Sequence, residues 1–353
     1  MNFFFNLGFV MIEIDGSYGE GGGALLRISA ALSAVTCKSI HVKDIRAKRP
    51  KQGLMAQHLS ALKSVSLISN ADHQGLKLGS TEIVFKPNEL KGGEYEIDIG
   101  TAGSITLVLQ SFMIPAAFTG KTVNLTLKGG TDVRWSPSVD YLANITIPIL
   151  ETLGSKFDLN VIQRGHYPHG GGLLKANVHP VKKIKPFKLL NLKADKIKGI
   201  SHAVKLPEHV AIRQAESAEL VLEEHGYPVE IQIEHSNKAL GPGSGIVLWT
   251  ENTDGNFMGR VGGSSLGKPG KRAEQVGYEA AMEIMNNLSR KSALDGYMGD
   301  QIIPYMALAG NSQVKTAKLT EHILTNIYAA EKITGRQFDW NGKIGEPAII
   351  KVD

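Results

Sequence analysis

Gly19-Glu20-Gly21-Gly22-Gly23 is the first stretch whose residue types could do chemistry, lying between an apolar run at 11–14 and a helical pattern at 24–35. Glycine lets a backbone approach a ligand closely, and the first turn of a helix offers unpaired N–H groups and a positive dipole end to an anion. A phosphate suits such a loop. Glu20 would repel that phosphate unless a divalent metal bridges the two, so the loop points to a metal–nucleotide complex. The same residues, as Gly19-x-Gly21-x-x-Ala24 with Asp44 near the end of a second strand at 40–45, also fit a dinucleotide-binding fingerprint. That keeps a nucleotide-dependent oxidoreductase open, beside the plain alternative of a strand-to-helix turn with no ligand.

Arg46, Lys48, Arg49 and Lys51 crowd one loop between that second strand and a helix at 54–68, which makes polyanion binding at this end of the sheet plausible. Gly262-x-x-x-x-Gly267-Lys268 nearly spells a P-loop, but Pro269 stands where the hydroxyl ligand of magnesium is needed, so that motif is rejected. His166-Tyr167-Pro168-His169 suggests a metal pair only briefly. Pro168 breaks the helical i,i+4 geometry and no third ligand lies nearby in sequence, so a loop leading into a strand is expected. His322 is the catalytic candidate among the histidines, because it opens a helical segment after the small-residue stretch Ala307-Leu308-Ala309-Gly310. The single cysteine, Cys37, excludes an intrachain disulfide and a cysteine-rich zinc site, and it reads as a small buried residue.

Positioning these residues requires an α/β scaffold. The 353 residues are 42% hydrophobic and 21% charged, with a formal net charge of +5, enough for a substantial core and two domains. No apolar run approaches a membrane span, and residues 1–10 lack both a basic n-region and a small-residue cleavage site. Cytoplasmic residence is therefore expected, with Met11 an alternative start to Met1. Strand, helix, strand, helix and then strands near 82–85 and 94–98 are followed by a restart at Ile97-Asp98-Ile99-Gly100-Thr101-Ala102-Gly103-Ser104, a helix at 105–112, a helix at 138–153 and a strand at 157–162. Such a recurrence suggests repeated βαβαββ modules. From about residue 187 a Lys-rich link leads to a helix at 207–224, strands at 229–234 and 246–250, and a helix at 272–288. Residues 1–185 and 282–353 are accordingly expected to form a large catalytic domain, with 186–281 a small α/β domain inserted into it.

Three sets of residues carry a resemblance. Asp15-Gly16-Ser17-Tyr18-Gly19-Glu20-Gly21-Gly22-Gly23 with Arg27, then Ile45-Arg46-Ala47-x-Arg49 with Gly53-Leu54-x-x-Gln57-His58, then Gly100-x-Ala102-Gly103-Ser104 ending at Gln110, resemble the RNA 3′-terminal phosphate cyclase family. The match continues in order through Gly129-Gly130-Thr131-Asp132 with Pro137, Tyr167-Pro168-x-Gly170-Gly171-Gly172, Tyr297-x-x-Asp300-Gln301 and Glu321-His322-x-x-Thr325-Asn326. The resemblance implies an α/β (α+β) fold, a large domain of three βαβαββ modules with a small inserted α/β domain.

It also implies a reaction. His322 would attack the α-phosphorus of ATP, pass AMP to an RNA 3′-phosphate, and leave the vicinal 2′-hydroxyl to close a 2′,3′-cyclic phosphodiester. Arg27, Arg46, Arg49 and Gln57 would hold phosphates or the RNA end, a divalent cation (Mg or Mn) would sit near Glu20, and Tyr297 and Pro137 would sandwich adenine, with Gln110, Asp300 and Gln301 lining the nucleotide site. Gln52 stands where a proline commonly precedes the glycine, which is expected to loosen the basic loop. An aromatic content of 7% with no ordered stacking array argues for recognition of the chain end rather than of an RNA sequence. Three rivals stand beside this reading: a non-catalytic ribosome-biogenesis or RNA-processing scaffold on the same fold, the oxidoreductase, and an enolpyruvyl-transfer enzyme built from similar modules. Nothing in the sequence bears on oligomeric state.

Overall fold

The computed structural model describes residues 11–255 and 257–353, so the reading of residues 1–10 lies outside the described residues. The chain begins with β1 (Ile12–Asp15), α1 (Gly23–Thr36), β2 (Ile40–Lys43), α2 (Ala56–Ile68), β3 (Asp72–Gln74) and β4 (Ile83–Lys86). These strands form one sheet in the order β1-β2-β4-β3, with β1 parallel to β2 and the other two pairs antiparallel. A parallel pair needs a crossover helix and an antiparallel pair only a turn, which is why the helices sit early in the unit and a hairpin closes it.

The pattern repeats with β5 (Gly93–Asp98), α3 (Ile105–Ala116), β6 (Val123–Gly129), α4 (Val139–Tyr141), α5 (Ile147–Thr152), β7 (Lys156–Gln163) and β8 (Gly172–His179), in the sheet order β5-β6-β8-β7. It returns a third time with an interruption. β9 (Lys188–Leu189) is followed by β10 (Lys196–Val204), α6 (His209–Glu224), β11 (Val229–Ser236), β12 (Gly243–Glu251), β13 (Gly262–Leu266) and α7 (Ala273–Ser289). Only then come α8 (Gly296–Gln301), α9 (Ile303–Ala309), β14 (Ser312–Thr316), α10 (Glu321–Thr334), β15 (Phe338–Trp340) and β16 (Ala348–Val352). β9 runs parallel to β14, and β16 pairs antiparallel with both β14 and β15, so this sheet has the strand order of the first two.

α1 is buried along nearly its whole length because α2, α3 and α10 pack around it, and a helix covered on all sides must be apolar all round. Its residues and those of α3 join one continuous core running through all three sheets, while β10, β12, α6 and α7 enclose a second, smaller one. Val247 and Trp249 of β12 face the first core and tie the interrupting unit to it.

Several elements differ from expectation. The expected limits at 186 and 281 fall before β9, which belongs to the third sheet, and inside α7, which continues to Ser289. The helix expected at 138–153 contains a π-helical turn, Leu142–Thr146. Pro148 opens α5 just beyond it, and a residue without an N–H is accommodated by widening the preceding turn. Cys37 is exposed, not buried, since it caps α1 with φ 53° in the left-handed region where the chain turns outward. The rejected P-loop segment is β13, hydrogen-bonded antiparallel to β12. Among the described residues no helix is long and apolar enough to cross a membrane.

Candidate active site

The glycine loop after β1 meets the start of α10. Asp15 Oδ1 accepts from the backbone N–H and hydroxyl of Ser17 at 2.8 and 2.7 Å, folding the chain back just before the glycines. The Tyr18 ring stacks on Tyr328 of α10 with centroids 3.9 Å apart, and the Tyr328 hydroxyl lies 3.2 Å from the Asp15 N–H. α10 itself is capped by Thr320, whose hydroxyl accepts from the Ile323 N–H at 3.2 Å. His322 thus projects from the first turn of a helix clamped against the loop.

Glu20 joins the two. Its Oε1 lies 2.9 Å from His322 Nε2, its Oε2 accepts from Arg49 Nη2 at 3.1 Å, and Arg49 Nε also donates to the Glu20 carbonyl at 2.7 Å. Burial pushes the Glu20 carboxyl up, but His322 and Arg49 together outweigh it and hold the group below the ordinary range. The hydrogen bond to Glu20 raises His322 against the opposing effect of burial, with Asp300 adding to the rise.

Arg27 of α1 lies behind this pair, 8% exposed. Burial lowers its guanidinium to about 10, while the charges of Asp300 and Glu20 hold it up. Arg27 Nη1 is 3.4 Å from His58 Nδ1, and burial together with Arg27 drives the His58 imidazole down to about 3. A neutral His58 accepts here and Arg27 donates. Gly23, the first residue of α1, makes room for that ring: a Cβ there would lie 1.9 Å from His58 Cε1. Asp300 in α8 is pushed up to about 7 by burial, with His322 and Arg27 pulling it back, and its carbonyl accepts from Asn326 Nδ2 of α10 at 2.9 Å.

α8 continues from this charged centre to an aromatic one. Asp295 caps it, accepting from the Tyr297 and Met298 N–H groups at 3.0 and 2.9 Å and from the Tyr141 hydroxyl at 2.6 Å. Tyr297 stands 54% exposed, edge-on to Tyr141 at 6.1 Å between centroids. Glu283 of α7, pushed up to about 7 by burial, raises the neighbouring Tyr297 phenol to about 12. Pro137 is tethered to α3 by the Thr106 hydroxyl, which donates to its carbonyl at 2.6 Å. Gln110 follows Thr106 by one turn on the same helix face and is half-buried.

A sequence profile of the family described as RNA 3′-terminal phosphate cyclase matches residues 18–340. The chain belongs to the RNA 3′-terminal phosphate cyclase family. A protein named RNA 3′-terminal phosphate cyclase from Methanothermobacter thermautotrophicus is 50% identical over 342 residues, covering 97% of this chain and 100% of that protein. Proteins of the same name from Methanopyrus kandleri and Pyrococcus furiosus are 47% and 46% identical, each alignment covering 97% of this chain and 98% of theirs. Among solved structures, an EPSP synthase from Acinetobacter baumannii aligns with 97% of this chain and 64% of its own at 8% identity and a TM-score of 0.30.

Within this cyclase family member, Glu20, Arg27, Arg49, Asp300 and His322 form one electrostatic centre. Arg46 adjoins it without a side-chain hydrogen bond to Glu20 or His322 among the described residues; its Nε donates to the Lys51 carbonyl at 3.2 Å. Gln57 is half-buried on α2, next to His58. Gln52 donates to the Ala47 carbonyl at 3.0 Å, so it closes the basic loop where loosening was expected. Gln301 has both ends of its amide engaged, by the Thr146 hydroxyl at 3.1 Å and the Tyr297 carbonyl at 3.0 Å. Sequence reasoning assigned no role to His58, Asn326, Tyr141, Asp295 or Glu283. Adjacency to Gln57 and Thr325 in the quoted motifs was the available signal for the first two; Glu283 looked like one more acid on an amphipathic helix. His166, set aside for want of a third ligand, lies in a buried group with Asp132 and His202.

Proposed function

We propose that this protein uses ATP to convert an RNA 3′-phosphate end into a 2′,3′-cyclic phosphodiester. The observation that carries the reading is the His322–Glu20 contact of 2.9 Å beside the Arg27 and Arg49 guanidiniums. Glu20 Oε1, 2.9 Å from His322 Nε2, is placed to take up the imidazole proton released as the ring attacks the α-phosphorus of ATP. The bond from that phosphorus to the bridging oxygen of pyrophosphate breaks, leaving AMP on the imidazole as a phosphoramidate. An oxygen of the RNA 3′-phosphate then displaces the imidazole, giving an RNA–AMP anhydride. Finally the 2′-hydroxyl attacks the RNA phosphorus, loses its proton, and AMP departs; nucleophile and electrophile share one ribose, so proximity supplies much of the rate.

Arg27 and Arg49, with Arg46 and Gln57 alongside, are assigned to the phosphates of ATP or the RNA end, since guanidinium forks match phosphate oxygens. Tyr297 and Pro137 are assigned to adenine, Gln110 and Asp300 to the nucleotide, and Gln301 to the same site through its hold on Tyr297. Glu20 offers one carboxylate at the glycine loop, which suits Mg²⁺ or Mn²⁺ because such ions take one or two protein carboxylates and fill their shells with substrate phosphates and water. When bound, the cation would neutralise charge on the departing pyrophosphate. We also assign the inserted domain to the span between β9 and α8, and the whole protein to the cytoplasm, where ATP and RNA ends meet. A scaffold without chemistry would leave the His322–Glu20 pair idle.

The test is incubation with α-labelled ATP and Mg²⁺ or Mn²⁺, then denaturing electrophoresis, comparing the native chain with His322→Ala. Acid-labile label on the native chain alone, followed by cyclisation of RNA 3′-phosphate ends, is expected. Absence of label on a native chain that binds nucleotide would overturn the reading and favour the scaffold.

A further inference from the structure

A second polar cluster lies where the inserted unit meets the second sheet. Asp132 follows β6, His166 lies between β7 and β8, and His202 is on β10; they are 2%, 6% and 0% exposed. One ligand-type atom from each lies within 4.8 Å of the others. Both ring nitrogens of His202, Nε2 of His166 and Oδ1 of Asp132 have no hydrogen-bond partner among the described residues. Buried polar atoms are almost always satisfied, so several unsatisfied ones from three side chains around one point call for a common partner.

Charge says what that partner is. Arg164 serves three carboxylates: Asp132 at 3.3 Å, Asp140 at 2.9 Å and Glu234 at 2.6 Å. One guanidinium among three carboxylates, two of them buried, leaves a local excess of negative charge that a bound cation would offset. Water would satisfy the unpartnered atoms but leave this charge in place.

The donors say which cation. Two imidazole nitrogens and a carboxylate oxygen suit Zn²⁺ and its transition-metal neighbours, whereas Mg²⁺ and Ca²⁺ prefer all-oxygen shells. Bond lengths of about 2.0–2.2 Å place the ligand atoms of a tetrahedral ion roughly 3.3–3.6 Å apart. His166 Nε2 to Asp132 Oδ2 is 4.0 Å and His202 Nδ1 to Asp140 Oδ2 is 3.7 Å, slightly longer than that spacing, so a bound ion would draw these side chains together. We propose that Asp132, His166 and His202 form a buried binding site for a divalent transition-metal ion of the zinc class, with Asp140 at the fourth position. Arg164 orients both carboxylates from behind, the role outer partners commonly play at metal sites. Because His202 comes from the insertion and Asp132 and His166 from the second sheet, the ion cross-links the two units. The site shares no residue with the His322 centre.

The probe is Zn²⁺ itself, measured by elemental analysis after desalting, with Co²⁺ substitution read by its visible d–d absorption. The native chain is expected to hold one equivalent of Zn²⁺ and to give a tetrahedral Co²⁺ spectrum. A Glu20→Gln/His322→Ala double variant should keep both while losing self-labelling by ATP. His166→Gln and His202→Gln, checked for native circular dichroism, should each weaken Zn²⁺ by more than the ~10–100-fold typical of losing an outer partner. A folded native chain that takes up no Zn²⁺ and gives no Co²⁺ band would overturn the proposal whether or not the variants fold, and so would uptake unchanged in both folded histidine variants.

Discussion

Gly23→Ala separates two physical reasons for a glycine at the start of α1. If Gly23 serves only to let a phosphate approach the backbone, alanine should weaken nucleotide handling and leave stability untouched or slightly improved, since Ala favours a helix by roughly 0.5–1 kcal/mol over Gly. The structure gives another reason. The added methyl would lie 1.9 Å from Cε1, 2.2 Å from Nδ1 and 2.4 Å from Nε2 of His58, inside the ring itself. The ring must therefore leave its place and its 3.4 Å contact with Arg27. Forced overpacking of this kind costs about 1–3 kcal/mol, so after the helical gain a net loss of up to about 2.5 kcal/mol is expected. Denaturant unfolding of Gly23→Ala, His58→Ala and the double variant measures it. The double variant should recover most of the loss, with a coupling of about 1–3 kcal/mol between the sites. A stable Gly23→Ala with coupling below about 0.5 kcal/mol would refute the steric argument and return the position to the phosphate.

Two further substitutions probe the centre. His322 is raised by Glu20, and the proposed mechanism needs the neutral imidazole, so self-labelling in the native chain should increase as pH rises through that raised value. Glu20→Gln removes the raising charge: the acid limb of the pH–rate profile should move to lower pH while the plateau falls by ~10²–10⁴-fold for want of the proton acceptor, and an unmoved limb would show that the contact does not govern the proton. Arg27 is buried without a carboxylate in ion-pair distance among the described residues, so Arg27→Met should leave denaturant stability equal or higher yet cut labelling by roughly 10–100-fold, the worth of a charge-assisted hydrogen bond. Full activity in that variant would remove Arg27 from the phosphate site.

Helices α1 and α3 were legible from their apolar patterns, and β1, β2, β4 and β5 as short β-rich runs. β9 was not, because two residues, Lys188 and Leu189, hold no period, and their place is fixed only by pairing with β14. Cys37 was misjudged because small apolar character predicts burial, whereas its position at a left-handed helix cap is set by chain direction. At the site, the glycine loop and basic loop announce anion binding on local grounds. The pairing of Glu20 with His322 is tertiary; the ordered resemblance put both residues in one reaction, the first with a cation and the second as nucleophile, but not in contact. His166 shows the same limit more sharply: its neighbours come from residues 132 and 202, so looking for a third ligand nearby in the sequence was bound to fail.

The clamp between Tyr18 and Tyr328 has a consequence for how the molecule comes into being. Asp15 and Tyr328 are 313 positions apart, and the ribosome delivers the first sheet, with its glycine loop and arginines, long before α10 exists. An unfinished chain can therefore present the glycine and basic loops while still lacking His322, the proposed nucleophile. Self-labelling by ATP should switch on only as the last sheet docks, which makes the label a reporter of completed synthesis as much as of chemistry.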